Sequence, residues 1–569
     1  DELLRIESRV HYDVRPALGP PHITWQVELL NNDPETQARD AGLVFFYQNF
    51  SLPVLRGASA VQASGPGGVA LPVAVDQTGA GPLTLATITF DRELYFGDRY
   101  SFTLSYDLAD TRSETLLVTE AYVFLPAIVV GDPASVIIET PAGEDWDVSI
   151  DPIDCVAAGG AGEFQCSASD DVQVAALIEV SRPAALESIE LTIGLQDALI
   201  ELTVSHFPGE ESWGTRILQL AIGGLPLLET LFGQPYPGPA LLTVSERGRQ
   251  QIAGYEGTFG CQEEIGCAIG ISPVAHEFVT LHEFAHLWTR IFEKRWIAEG
   301  LAEFMSRKAA IILPVEIPEQ ATPPPGIELA LDDWGSPSYL IQASDEERAR
   351  EDTGYRESRR LFEALEAEIG LGAIQAANAA AAELSQGIDS ERYLDILEDT
   401  SGAVLDGLFL ERVFPASYAP TLEQRRRVRA QLDGAEDAAE AAGLQLPALV
   451  GLLVDDWDFA EAGKLLDAAE PANDAYRVAG ARLADPRGFW TRLGLLGQNP
   501  EARLENSGDS FQDGDFELAR ERARSAEAMI EDAGRTAQIR ALIAGAVLAG
   551  LLLILSVVVW LARRRAAAA

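Results

Sequence analysis

The chain is short of basic residues, cysteine, histidine and methionine, and each shortage narrows what it can do. Lys and Arg together number 42 against 88 Asp and Glu, a formal charge of -46 at pH 7. A body with that balance repels nucleic acid and anionic lipid, which removes both as its partners and leaves a solvated acidic surface. The 4 cysteines fall in two local pairs, Cys155 with Cys166 and Cys261 with Cys267. Such local pairing is the expected disulfide connectivity in an oxidising compartment, with four free thiols as the competing reading. The spacing of Cys261 and Cys267 suits no common structural zinc knuckle. Methionine is confined to Met305 and Met529. The chain opens Asp1-Glu2-Leu3-Leu4 with no basic-then-apolar leader, so a signal peptide already removed is expected. What remains is 569 residues, room for three or four domains with a sizeable core.

Against that scarcity of histidine, the stretch TLHEFAHLWTRIFEKRWIAEGLAEF from Thr280 to Phe304 places His282, Glu283 and His286 in the pattern H-E-x-x-H. Six His and at most 88 Glu give an expectation of about 0.01 accidental matches in the chain. On a helix the two imidazoles share a face and can reach one metal ion, and Glu283 then stands beside the open coordination position as a base for water. A second helical run, Trp296 to Phe304, carries Glu299 and Glu303 on one face. Glu299 is the candidate third ligand, and Glu303 the group that accepts the free ring N–H of a ligating histidine. The competing reading makes both glutamates a solvated helix face.

Residues Thr280 to Phe304 resemble the gluzincin metallopeptidases, the group of thermolysin and the aminopeptidase-N-like enzymes. There H-E-x-x-H is followed by W-[LI]-x-E-G-x-A-x-[FY], here Trp296 to Phe304, after a shorter interval from His286 to Glu299 than in those enzymes. The resemblance implies one zinc ion per chain on His282, His286 and Glu299, with Glu283 as catalytic base. Upstream, a helix, the run Phe232-Gly233-Gln234-Pro235-Tyr236-Pro237-Gly238-Pro239 and a strand are similar in order to the same group. The aminopeptidase signature G-x-M-E-N is absent, so a preference for a free amino terminus does not follow. The resemblance also implies a tyrosine at a downstream helix start that donates to the oxyanion; Tyr355 is the candidate and Tyr339 its rival. His276-Glu277-Phe278-Val279-Thr280 imitates the motif but ends in threonine, and His276 reads as a structural or helix-start residue. His11, His22 and His206 fall in predicted strands and read as surface or core residues.

The first two hundred residues alternate apolar and polar, as in Ile23 to Leu30, Ala86 to Phe90 and Tyr100 to Tyr106, between turn-forming clusters, which predicts strands. The expected organisation is multidomain. A β-sandwich-like domain covers 1–108, a second β domain 109–195 and an α+β, thermolysin-like zinc peptidase domain 196–390. An α-helical region follows over 391–537, and 538–569 hold a transmembrane helix with a short basic tail. Within the third, strands are expected at Leu199 to Val204 and Leu241 to Ser245, a helix at Trp213 to Phe232, and an edge strand at Cys267 to Ser272 that an extended peptide could join. Lys308 to Asp352 reads as an irregular loop containing Thr322-Pro323-Pro324-Pro325-Gly326, and the next helix as starting at Tyr355. Asp456 to Ala462 and Asp513 to Ala519 resemble one another as paired-helix repeats do. That helical region is expected to bind a partner protein or to space the body from the membrane.

From Ala541 to Ala562 all 22 residues are apolar, Gly or Ser, roughly 33 Å as a helix and enough to cross a bilayer core. Arg563-Arg564-Arg565 would stay cytoplasmic, leaving a single-pass protein of the cell membrane whose amino-terminal body is extracytoplasmic; a tail anchor with a cytosolic body is the competing topology. The expected activity is peptide-bond hydrolysis on a peptide or protein substrate. A catalytically idle scaffold and a zinc hydrolase of a non-peptide bond are the alternatives.

Overall fold

The computed structural model describes residues 3–33, 45–76, 81–108, 111–113, 116–152, 155–168, 172–262, 264–319, 326–335, 340, 343–384 and 387–566. The chain forms two compact units, 1–413 and 414–569.

Among the described residues, the strands of the first unit form four sheets. The largest has eight strands, in spatial order Cys155–Ala157, Glu163–Ala168, Ala134–Glu139, Leu4–Asp13, His22–Asn31, Arg99–Leu108, Ala58–Ser64 and Ala70–Leu71. Its strands bury alternate residues because their sequences alternate: Ile23, Trp25, Val27 and Leu29 face inward while Glu28 and Gln26 face water. Val10 and Leu104 before residue 108, and Ile128 and Val180 after it, belong to one buried cluster. The strand Tyr122–Val130 is buried throughout, as its unbroken apolar sequence requires. Val123, Leu125 and Ala127 join the main cluster, while Tyr122 and Phe124 turn the other way and pack with Phe207. Phe207 directly follows a strand of the sheet that carries the candidate site, so this second cluster is where the β layers support it.

That sheet runs, in spatial order, Glu187–Gly194, Leu199–His206, Leu241–Glu246, Gly266–Ile271 and Gly257–Gln262. Its central pairings are parallel and its two outer ones antiparallel. The edge strand is Gly257–Gln262, which corrects the expectation that Cys267 to Ser272 lies at the edge. The apolar Gly266–Ile271 buries alternate residues and takes the inner place, whereas Gly257–Gln262 stays half-exposed and takes the rim. Cys261 and Cys267 are directly opposed in this hairpin and form a disulfide, as do the opposed Cys155 and Cys166.

Against this sheet lie the helices Glu211–Phe232 and Glu277–Thr289; Arg295–Ile312 packs on both helices, and Asp345–Ile369 packs on Arg295–Ile312. Asp345–Ile369 starts well before Tyr355, which corrects the expected helix start. Ser344 caps it: its hydroxyl accepts from the Glu347 N–H while the Glu347 carboxylate accepts from the Ser344 N–H, satisfying two of the otherwise open donors of the first turn.

The second unit is helical. Asp458 and Asp515 each cap a helix through the side chain, Phe459 and Phe516 behind them are buried, and the residues just before the caps, Trp457 and Gly514, both have positive φ, 57° and 82°. The two similar sequence segments therefore fold alike. The helix Ala533–Ala566 is long and apolar enough to cross a membrane.

Candidate metal centre

His282 and His286 lie one turn apart on the helix Glu277–Thr289, and Glu299 projects from the start of Arg295–Ile312. The helices bring three side-chain atoms to one point. Nε2 of His282 is 3.1 Å from Oε2 of Glu299, Nε2 of His286 is 3.4 Å from the same oxygen, and the two nitrogens are 3.2 Å apart. Tetrahedral ligands about 2.0–2.1 Å from a zinc ion stand about 3.3–3.4 Å from one another.

The ring tautomers strengthen the fit. Nδ1 of His286 is 3.0 Å from Oγ1 of Thr289, and Nδ1 of His282 faces Oε2 of Glu303 at 3.3 Å. A proton on each Nδ1 leaves two nitrogen lone pairs and a carboxylate oxygen converging with no donor among them. Acceptors so arranged and largely removed from water are unfavourable without a cation. Burial disfavours charge on His282, but Glu299 and Glu303 outweigh it and raise the ring to about 10. Burial likewise opposes ionised Glu299, yet His286 and His282 hold it well below the usual carboxylate range. The cluster is built for a positive charge, and its donor set fits zinc.

Glu283 is buried, and burial pushes its carboxyl up against the pull of His286 and His282. It packs under the edge strand, where a Cβ on Gly257 would come 2.5 Å from Oε1 of Glu283, so this close approach needs glycine. Phe259 of the same strand stacks on the His286 ring at 5.8 Å between centroids. Two cavities open on either side, of about 520 and 370 Å³, and Glu283, Tyr255, Gly257 and Tyr355 line both. These sizes are typical of sites for small molecules or a few residues of peptide.

Tyr355 reaches the site from the helix Asp345–Ile369, its ring 6.2 Å from that of His282. Its hydroxyl oxygen accepts from Nη2 of Arg295 at 3.2 Å. Sequence reasoning missed Arg295. It grips Glu351 with both terminal nitrogens, lies over the Trp334 ring at 4.2 Å, and comes within 3.8 Å of Oε1 of Glu299. Trp334 in turn donates to Glu351 at 3.2 Å and fits only because residue 354 is glycine, since a Cβ there would enter its ring. The adjacency of Arg295 to the tryptophan that opens the second motif was the one signal in the sequence. Thr289 was missed too, although its place three residues after His286 puts it on the same helix face. Tyr339 and residues 322–325 lie outside the described residues.

No protein-family model matches the chain, and no curated protein matches it. Among solved structures, a two-domain M1 zinc metallopeptidase variant bound to L-arginine aligns at 14% identity over 73% of this chain and 96% of its own, with a TM-score of 0.28. An M1 zinc metallopeptidase variant from Deinococcus radiodurans aligns at 17% identity over 72% and 95%, TM-score 0.28. Aminopeptidase A of Legionella pneumophila in complex with aspartic acid aligns at 11% identity over 72% of this chain and 49% of its own, TM-score 0.29. At these scores the likeness assigns no activity to the chain.

The other histidines lie elsewhere. His276 stands immediately before the helix Glu277–Thr289, His11 pairs with Glu139 at 3.3 Å, His22 with Asp107 at 2.6 Å, and buried His206 bonds the Phe207 carbonyl.

Proposed function

We propose that the chain is a zinc-dependent peptidase held to a membrane by its last helix, with its body outside the cytoplasm. The observation that carries the reading is the convergence of His282 Nε2, His286 Nε2 and Glu299 Oε2, three acceptors within 3.4 Å of each other. One ion held there would supply a Lewis acid that polarises a carbonyl and brings the pKa of a water to about 7. Three protein ligands leave a position open, as a catalytic rather than a structural site requires.

The rest follows from the chain's own groups. An extended substrate pairs its backbone with the half-exposed edge strand Gly257–Gln262, which places a peptide carbonyl between the two cavities. Glu283 takes a proton from the attacking water and passes it to the leaving amine, so the C–N bond breaks with the nitrogen protonated and the carboxylate restored. Tyr355 stabilises the negative charge that develops on the carbonyl oxygen. Removal of the Tyr355 hydroxyl from water, with Glu299 nearby, keeps it protonated against the pull of Arg295; because its oxygen accepts from Arg295, the O–H stays free to donate, and Arg295 also steadies the second oxygen of Glu299. Glu303 holds His282 in the Nδ1–H tautomer and Thr289 does the same for His286.

The test is a peptide-library digestion by the purified full chain, with and without a chelator. Cleavage that stops with the chelator and returns with added zinc supports the reading; cleavage that persists at full rate in chelator refutes it.

A further inference from the structure

In a strongly acidic chain, the segment from Pro486 to Gln498 contains no Asp or Glu but carries Arg487, Phe489, Trp490, Arg492, Leu493, Leu495 and Leu496. Phe489–Gly494 forms a short helix beside the first turns of the long apolar helix Ala533–Ala566. The two are locked together. A Cβ on Gly494 would collide with the Ala533 carbonyl, and Arg540 donates from Nη1 to the carbonyls of Leu493 at 3.0 Å and Leu496 at 2.8 Å.

Arg540 is the residue immediately before the uninterrupted apolar run Ala541 to Ala562, so its guanidinium fixes the short helix at the level where that run begins. There, Phe489, Trp490 and Leu496 are 72%, 54% and 62% exposed, while Gly494 and Leu495 are buried. On the long helix Ile539, Leu542 and Ile543, which flank Arg540 in sequence, are exposed as well. An apolar patch of aromatic and aliphatic side chains has no reason to face water, and a bilayer offers a headgroup layer of about 5–7 Å outside its hydrocarbon core in which Trp and neighbouring arginines are stable.

We propose that 486–498 is a membrane-interface foot: Phe489, Trp490 and Leu496 enter the headgroup region of the bilayer that Ala541 to Ala562 cross. The proposal rests on that helix spanning the membrane. The foot gives the helical unit a second attachment to the lipid, so that its tilt about the single span is restricted. Arg492, exposed beside it, meets lipid phosphate, which the acidic remainder of the chain repels.

The test uses the full chain in phosphatidylcholine vesicles whose acyl chains carry bromine, a short-range quencher of tryptophan emission. Differences between the wild type and Trp490→Phe isolate Trp490, and differences between the wild type and Trp560→Phe isolate a tryptophan inside the apolar run. The expected result is that both components are quenched, Trp490 more by bromine near the headgroups than by bromine near the chain ends. Quenching of Trp560 without quenching of Trp490 overturns the foot and leaves the span standing. Quenching of neither overturns both. An unquenched Trp490 whose emission changes with protein density in the vesicle assigns the patch to a second copy of the chain and also overturns the proposal.

Discussion

Two substitutions separate the roles assigned to single side chains. Glu283 lies beside the cluster without belonging to it, so Glu283→Gln should retain the metal and lose nearly all turnover, because an amide cannot take the water's proton. Equal loss of metal and activity would make Glu283 part of the binding set instead. Tyr355→Phe removes one hydroxyl from a half-buried position already organised by Arg295. Loss of one preformed oxyanion donor should lower kcat by roughly 10²- to 10³-fold with KM little changed. Wild-type turnover in Tyr355→Phe would move the role to Tyr339 or another donor. That His282 and His286 share a helix face could be read from sequence, because spacing along a helix is a local property; that Glu299 meets them depends on how two helices pack. The Arg295–Glu351 pair could not: 56 positions separate the partners, and 88 acidic residues compete for the role.

At the scale of elements, the strand Leu241–Glu246 ends in a carboxyl with a pH signature. Glu246 is fully buried; one oxygen accepts from the Phe207 N–H at 2.6 Å and the other has no partner among the described residues. Burial, against that hydrogen bond and the more distant Arg112 and Arg216, raises it from an ordinary 4.5 to about 8. Between those two values the folded chain holds a proton that the unfolded chain has released, so stability falls as pH rises through the window and is unaffected below it. Glu246→Gln keeps an acceptor for Phe207 and removes the charge. Its melting temperature should approach that of wild type near pH 4.5 and exceed it at pH 8; parallel curves would mean that Glu246 is ionised in the fold. In the helical unit, Gly514 turns the chain at φ 82°, a conformation that costs a residue with a Cβ about 1–2 kcal/mol, so Gly514→Ala should lower the denaturant midpoint without changing the slope.

Element types were largely legible, because periodicity reports which face is buried: Leu241–Glu246 and Glu211–Phe232 lie within two residues of the expected bounds. Order within the sheet was not. Both strands of the Cys261–Cys267 hairpin are short and glycine-bearing, and only the long-range pairing of Gly266–Ile271 with Leu241–Glu246 decides which is inner. The start of Asp345–Ile369 was written in Ser344 and Glu347 and was obscured by the acidic, proline-containing sequence before it.

At the scale of the whole molecule, the proposed enzyme joins an acidic body, a candidate zinc site and, among the described residues, one helix long and apolar enough to cross a membrane. If the body is outside the cytoplasm, protease added to intact cells should digest it, and Cys261 should resist alkylation until reductant is added; free alkylation of all four cysteines would place it in a reducing compartment. The central claim is that His282, His286 and Glu299 hold one zinc ion, and the most direct measurement is zinc per chain in the purified full-length protein carrying Glu283→Gln, alone and combined with His286→Ala or Glu299→Ala. The account predicts one zinc per chain in Glu283→Gln and loss of most of it in either combination, with the folded state intact by circular dichroism. Zinc absent from Glu283→Gln, or undiminished when His286 or Glu299 is removed, would contradict it.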